Sequence, residues 1–341
     1  MESPLELEKI EYGDKIMKLL GKCIWCLLTL VGSISFAYAD YPADRPIKMI
    51  VPYPPGGGTD NVARTFAKFL SDRIKQQIII ENRAGASGVV GSEFVARAAP
   101  DGYTMEYTVG DTHSVLPHFF VKPRYDPLKD FIPVGVVGSM PNALIINPKI
   151  PATTLDQFIQ LAKANPGKYT YSTWGLGSGA HIRTEAFNDL AKINMLHIPY
   201  QGSGPSFAAV VGGQVDVTMA PLSLAYGHVK SGGVRVLGVD TLQRVPDAPE
   251  VPTFTEQGIP ITLAFWQGIL LPAKTPQAIV NYLNREMNAV IADPEARAAL
   301  TKAGVIVRQS GMTPQELTVY MQSEFNRWGQ LIKANNIKAE Q

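Results

Sequence analysis

The sequence predicts an α/β protein with mostly parallel sheets. Three observations lead there. Strand-like and helix-like segments alternate almost throughout, a pattern that places parallel strands in a sheet covered by helices. The 341 residues exceed one typical domain and suit two of moderate size. Glycine-bearing turns recur where strand patterns give way to helix patterns, at Pro55–Asp60 and again at Ser172–His181.

The first 39 residues stand apart from this pattern. Lys18 and Lys22 precede an apolar run, Ile24–Ala37, that ends in Ala37-Tyr38-Ala39. This order of basic region, apolar region and small-residue site predicts a secretory signal peptide cut before Asp40. The run is too short and interrupted to span a membrane comfortably. Glu2, Glu6, Glu8, Glu11 and Asp14 are unusual ahead of a signal peptide, so Met17 is the expected translation start. Both cysteines, Cys23 and Cys26, fall inside the segment. A mature chain without cysteine excludes disulfides, thiolate catalysis and cysteine-based metal sites. Removing four basic and five acidic residues leaves 27 against 25, a net charge of +2. Such a balance gives no signal for a polyanion, and no basic run is interleaved with aromatics, so nucleic-acid binding has no support.

In the mature chain, strand patterns are read at Ile47–Val51, Gln77–Glu81, Tyr103–Thr108, Ala143–Asn147, Lys168–Ser172, Met195–Ile198, Val215–Met219 and Val234–Val239. Between them lie helical patterns at Asn61–Ile74, Ser87–Ala98, Leu155–Asn165, Ala180–Ala191, Pro205–Val211 and Leu222–Lys230. In the first helix Val62, Phe66, Leu70 and Ile74 recur every four positions, beside Ala63 and Ala67, which makes a one-faced helix. Thr154 with Gln157 predicts a capping box, and Gly212-Gly213 ends its helix. After a proline-rich connection, Arg244–Pro252, come a strand at Phe265–Leu271 and three helices. Each of these three has Thr275, Asp293 or Thr313 as its predicted N-cap and a proline at the first helical position.

Three turns carry candidate chemistry. In an open α/β sheet, ligands sit at the carboxyl ends of strands, where such turns lie. Glycine admits a ligand close to the backbone, and free N–H groups at a helix start attract an anion. The first turn offers Tyr53, Gly56, Gly57, Gly58 and Thr59. The second offers Thr173, Trp174, Gly175, Gly177, Ser178 and His181, and the third, weaker, offers Ala220, Pro221 and Ser223. A plain chain reversal is the competing reading of each. Enzyme templates fail on spacing. Gly175-x-Gly177-x-x-Ala180 resembles a dinucleotide fingerprint, but the next strand ends His197-Ile198-Pro199-Tyr200-Gln201 without the acid that a ribose requires. Gly167-Lys168 runs into Tyr169, so there is no P-loop, and Leu176 two residues before Ser178 breaks a nucleophile elbow. No H-E-x-x-H occurs, and no metal is expected. His113 and His181 remain candidates for ligand contact, His181 more so because it opens a helix.

IVPYPPGGGTDNVAR, ENRAGASGVVGSEFVARAAPDGYT, YDPLKDFIPV, KANPGKYTYSTWGLGSGAHI, HIPYQGSGPSFAAVVGGQVDV, HVKSGGVRVLGV, VPTFTEQGIP and LLPAKTP occur in that order. Together they resemble the Bug family, the periplasmic substrate-binding proteins of tripartite tricarboxylate transporters, over Tyr41–Gln341. The resemblance implies a two-lobed periplasmic-binding-protein (Venus-flytrap, type II-like) fold. One lobe would combine 41–138 with 266–341, the other would be 139–265, and the crossings near Ser139–Asn142 and Phe265–Gly268 would form the hinge. It implies carboxylate-binding loops at Tyr53–Thr59, Thr173–His181 and Met219–Ser223, without catalysis or cofactor. The chain departs from the family at Arg73-Ile74-Lys75-Gln76-Gln77, which lacks a glycine. Ala220-Pro221 stands where Asp-Asn is common, and Trp174 where a small residue is frequent.

The expected function is a periplasmic, monomeric receptor that passes a small organic carboxylate to membrane components of a tripartite transporter. A secreted α/β enzyme using the same cleft and a receptor presenting ligand to a sensor are the alternatives. Trp174 and Tyr53 could offer π-faces, so an aromatic or flat acid is the expected ligand. The apolar Ala220-Pro221 wall disfavours an ammonium group.

Overall fold

The computed structural model describes residues 41–119, 124–262 and 265–334, so the signal peptide and the start at Met17 lie outside them. Two compact units divide the chain between Asp44 and Arg45. The described part of the first, 41–44, is a run of turns, and the sheets and helices belong to the second.

In chain order the strands are β1 (Ile47–Val51), β2 (Ile78–Asn82), β3 (Thr104–Val109), β4 (Phe131–Met140), β5 (Asn142–Ile146), β6 (Thr170–Thr173), β7 (Leu196–Pro199), β8 (Val217–Pro221), β9 (Arg235–Val239), β10 (Phe265–Pro272) and β11 (Ile306–Val307). The principal helices are α1 (Gly58–Ile74), α2 (Val89–Ala96), α3 (Leu155–Ala164), α4 (Gly179–Ala191), α5 (Ser203–Val211), α6 (Tyr226–Lys230), α7 (Gln277–Ala292), α8 (Pro294–Lys302) and α9 (Pro314–Ala334).

Two sheets form, one per lobe. The first runs β11-β4-β10-β3-β1-β2 and the second β7-β6-β8-β5-β9. Strands β5 and β10 are buried along their whole length, as expected of central strands covered on both faces. The sheets are mixed rather than mostly parallel. β1 pairs in parallel with β2 and β3, and β6 with β7 and β8. β10 is antiparallel to β3 and β4, β11 to β4, and β5 to β8 and β9. Two of the strands that run against their parallel neighbours, β5 and β10, lie where the chain passes between sheets: β4 hands over at Pro141 to β5, and β10 carries the chain back.

Helix α1 buries the six residues its periodicity predicts, Val62, Ala63, Phe66, Ala67, Leu70 and Ile74. It ends at Lys75, held at φ 55°, in the left-handed region that favours the glycine missing from this exposed turn. Asp293 caps α8 by accepting from Ala296 N at 2.9 Å, with Pro294 at the first position as predicted. Thr313 and Glu316 exchange hydrogen bonds at the start of α9. In the α3 cap, Thr154 accepts from Gln157 N, but the Gln157 side chain accepts from Thr153 N instead of Thr154 N. Thr275 is not an N-cap. Helix α7 begins one residue later than expected, at Gln277, and the Thr275 hydroxyl donates to Pro272 O. Helix α5 likewise begins at Ser203, two residues ahead of Pro205.

Where the chain crosses between sheets, the packing is polar and fully buried. Asn142 N donates to Asp240 Oδ1 at 2.8 Å, and Asp240 Oδ2 lies 3.0 Å from Arg183 Nε. The Arg183 guanidinium sits 3.9 Å above the Phe265 ring, which stacks on Trp328. Both charged groups have no exposed side-chain surface, so removing either would leave an uncompensated buried charge.

Candidate functional site

Helix α1 starts without a side-chain cap. Its N-cap, Gly57, has ordinary extended angles (φ −76°, ψ 168°). Gly56 N donates inward to Asp60 Oδ2 at 2.9 Å, whereas Gly58 N and Thr59 N meet no acceptor among the described residues. Asp60 is itself fixed by Arg64 and by Asn82. Burial opposes its ionisation, but the bonds from Arg64, Asn82 and Gly56 outweigh it and hold the carboxyl below the usual range.

A second helix start faces this one from the other lobe. Helix α5 follows Gly202, also without a side-chain cap, and Ser203 N and Gly204 N find no acceptor among the described residues. The two turns touch: a Cβ at Gly57 would come within 3.1 Å of Ser203 Oγ, and one at Gly202 within 2.9 Å of Pro54 Cγ. Between them lies a cavity of about 30 Å³. Tyr53, Gly57, Thr59, Trp174 and Pro221 line it, which brings together five residues that the sequence nominated from three separate turns. Gly58 packs just behind, where a Cβ would meet Pro221 Cγ at 3.1 Å and Met140 Sδ at 3.2 Å. Gly56 is exposed on the outer side of the turn.

The remaining nominees do other work. Thr173 Oγ1 accepts from Gly175 N and bonds His197 Nε2, and Ser178 Oγ caps α4 by accepting from His181 N. Gly177 N donates to His181 Nδ1, and Ser178 N donates to Gly175 O. The N–H groups of the second turn are therefore largely satisfied within the turn itself. Its helix end is occupied too: Gly179 N donates to Asp111 Oδ2 at 3.0 Å, and Trp174 Nε1 donates to the same oxygen at 2.7 Å. Asp111 belongs to the first lobe, on a π-helical turn after β3, so a side chain of the protein takes the anion position at α4. Burial pushes its carboxyl up to about 6 against the pull of Arg183, Trp174 and Gly179.

His181 is not among the cavity-lining residues; its ring stacks on His197 at 4.2 Å, and His197 stacks on Tyr171. Ala220 lies in the buried face of β8 opposite Ala143. Ser223 sits against Gly304, at the end of α8. His113 is buried against Glu106 at 3.2 Å, edge-on to Phe131. It is a structural residue.

Sequence reasoning missed Gly202–Pro205, Asp111, Met140, Asn142 and Phe265, all of which line the cavity. Gln201-Gly202-Ser203-Gly204-Pro205 did carry a signal, a glycine turn between a strand and a helix. Pro205, a favoured first helical residue, masks it, although the helix begins at Ser203. Among the described residues, no helix is long and apolar enough to cross a membrane.

The sequence profile of the family described as "Tripartite tricarboxylate transporter family receptor" matches residues 62–337. The protein BugT of Bordetella pertussis is 37% identical over 309 residues, covering 87% of this chain and 91% of its own length. A protein of R. palustris solved with adipate is 31% identical, with a TM-score of 0.84 over 88% of this chain and 99% of that one. MatC from Rhodopseudomonas palustris, solved with bound malate, is 31% identical, with a TM-score of 0.80 over 86% of this chain and 100% of that one. The chain belongs to the tripartite tricarboxylate transporter receptor family, the Bug-type solute-binding proteins with a two-lobed periplasmic-binding-protein fold.

Proposed function

We propose that this protein is a non-enzymatic, monomeric periplasmic receptor that closes two lobes over a small organic carboxylate and delivers it to the membrane components of its transporter. On this reading, 41–138 with 266–341 form one lobe and 139–265 the other. One observation carries the proposal. Two uncapped helix starts, at Gly57–Thr59 and Gly202–Gly204, bring residues with unpartnered N–H groups, Thr59, Ser203 and Gly204, to one cavity from opposite lobes, with Gly58 just behind. Helix N-termini attract anions, and hydrogen bonds to a charged group contribute about 1.5–3 kcal/mol each. A few of these reach the roughly 8 kcal/mol of micromolar binding after ordering costs. The malate and adipate bound by the two R. palustris relatives support this ligand class. Tyr53, Trp174 and Phe265 line the same cavity, which supports a flat or aromatic acid among the ligands.

The test is a thermal-shift screen of aromatic, dicarboxylic, tricarboxylic and amino acids on the mature chain. A ligand at ~100 times its dissociation constant stabilises by about 2.7 kcal/mol, visible as a raised melting temperature. Gly57→Val is then expected to weaken the best ligand at least about tenfold, because its side chain reaches Ser203 across the cleft. Its backbone angles suit any residue, so no backbone strain opposes the variant. Undiminished affinity in folded Gly57→Val would remove the two-helix site.

A further inference from the structure

Resting on that receptor reading, we propose that the cleft also selects for a hydrogen-bond donor on the ligand, an amino or hydroxyl group, received by Asp111 Oδ1 and Asn142 Oδ1. The preferred ligand is then a hydroxy- or amino-bearing carboxylate, and a plain acid or diacid is discriminated against.

Both residues line the cavity and both are fully buried. Asp111 uses only one oxygen, Oδ2, for Trp174 and Gly179, and Oδ1 has no hydrogen-bond partner among the described residues. In Asn142 the side-chain NH2 donates to Met140 O and to Asp240 Oδ2, both at 3.3 Å, which fixes the other end as the oxygen. That oxygen is likewise without a partner among the described residues. Buried polar atoms in native proteins nearly always find a partner. Two bare acceptors in the lining of one cavity therefore call for a donor from whatever fills it. The helix-start amides of Gly58, Thr59, Ser203 and Gly204 can only donate. A ligand satisfying both sets must accept at one group and donate at another, as a carboxylate bearing N–H or O–H does. A second carboxylate would instead meet two oxygens that cannot give it a proton. The Ala220-Pro221 wall, which on its own disfavours an ammonium group, does not govern this contact, because the acceptors come from β5 and the turn after β3.

The experiment is calorimetric titration of the mature protein with matched acids. The sets are succinate, malate and aspartate, and benzoate, 4-hydroxybenzoate and 4-aminobenzoate. Within the set that fits the cleft, the donor-bearing members are expected to bind about 10- to 100-fold more tightly than the parent. Comparing the hydroxy and amino members identifies which donor is preferred. Asp111→Asn presents an amide in place of one oxygen and is expected to abolish or reverse the preference. Equal affinity across both sets, or full discrimination surviving in folded Asp111→Asn, overturns the inference and leaves the receptor reading standing. Failure of every carboxylate to bind removes both. The wild-type comparison decides the matter even if the variant does not fold.

Discussion

Asp111 shows where a sequence stops being readable at the scale of one residue. Gly110 and Thr112 beside it give no hint of chemistry. Its meaning comes from Trp174 and Gly179, which lie 63 and 68 positions away in the chain. Glycine turns, by contrast, announce themselves locally, and Tyr53, Gly57 and Thr59 were legible for that reason. His181 was legible as the first polar ring after a turn, but its partner is His197, and the pair is a stacked structural unit. Burial lowers His181 to about 4, and burial together with the neighbouring ring lowers His197 to about 3. Both rings are therefore neutral in the folded protein at pH 7, whereas in the unfolded chain they take up protons below about 6.5. The stability they supply is present above pH 6.5 and is lost as pH falls toward 4, by about 1–3 kcal/mol for His181. Replacing His181 by Gln should narrow the gap in melting temperature to wild type as pH is lowered through that window. A gap that stays constant would show that the ring does not titrate differently on unfolding.

Among the elements, long periodic helices were readable and the sheet order was not. Helix α1 buries the stripe that its four-residue spacing announces. Strand β4 escaped notice because Pro133, Gly135 and Gly138 interrupt its apolar pattern. Those glycines have tertiary reasons: a Cβ on Gly138 would strike the Ile306 carbonyl, and one on Gly135 would come within 2.9 Å of Met287 Sδ. The two-residue strand β11 exists only through this close approach and has no signal of its own. Gly138→Ala is accordingly expected to displace β11 and cost about 1–3 kcal/mol in urea unfolding. An unchanged midpoint would mean the edge strand contributes little. Parallel alternation was over-read for a similar reason. Strands β5 and β10 look like any other apolar strand, and only the passage between lobes turns them antiparallel.

For the whole molecule, the two lobes touch through turns that the sequence could list but not juxtapose. Gly57 approaches Ser203, Ser87 Oγ donates to Leu176 O at 2.9 Å, and Asp111 bonds Trp174 and Gly179. The cavity they enclose, about 30 Å³, holds little more than a water, far below the ~300 Å³ of an ordinary ligand pocket. On the proposed function, a carboxylate enters when the lobes part, with the crossings at Met140–Asn142 and at Phe265 as the hinge. Scattering from the free protein should give a larger radius of gyration than from the ligand-saturated one, since contacts from both lobes favour the closed state. Identical radii would place closure before binding or deny it. The central claim, that helix-start N–H groups of both lobes grip a negative carboxylate, is tested most directly by titrating the mature protein with its best acid ligand and with the primary amide of that acid. The two have nearly the same shape, but only the acid is charged, and charge-assisted bonds are roughly twice as strong as neutral ones. The account predicts that the amide binds at least about tenfold more weakly. Equal affinity for acid and amide would contradict it.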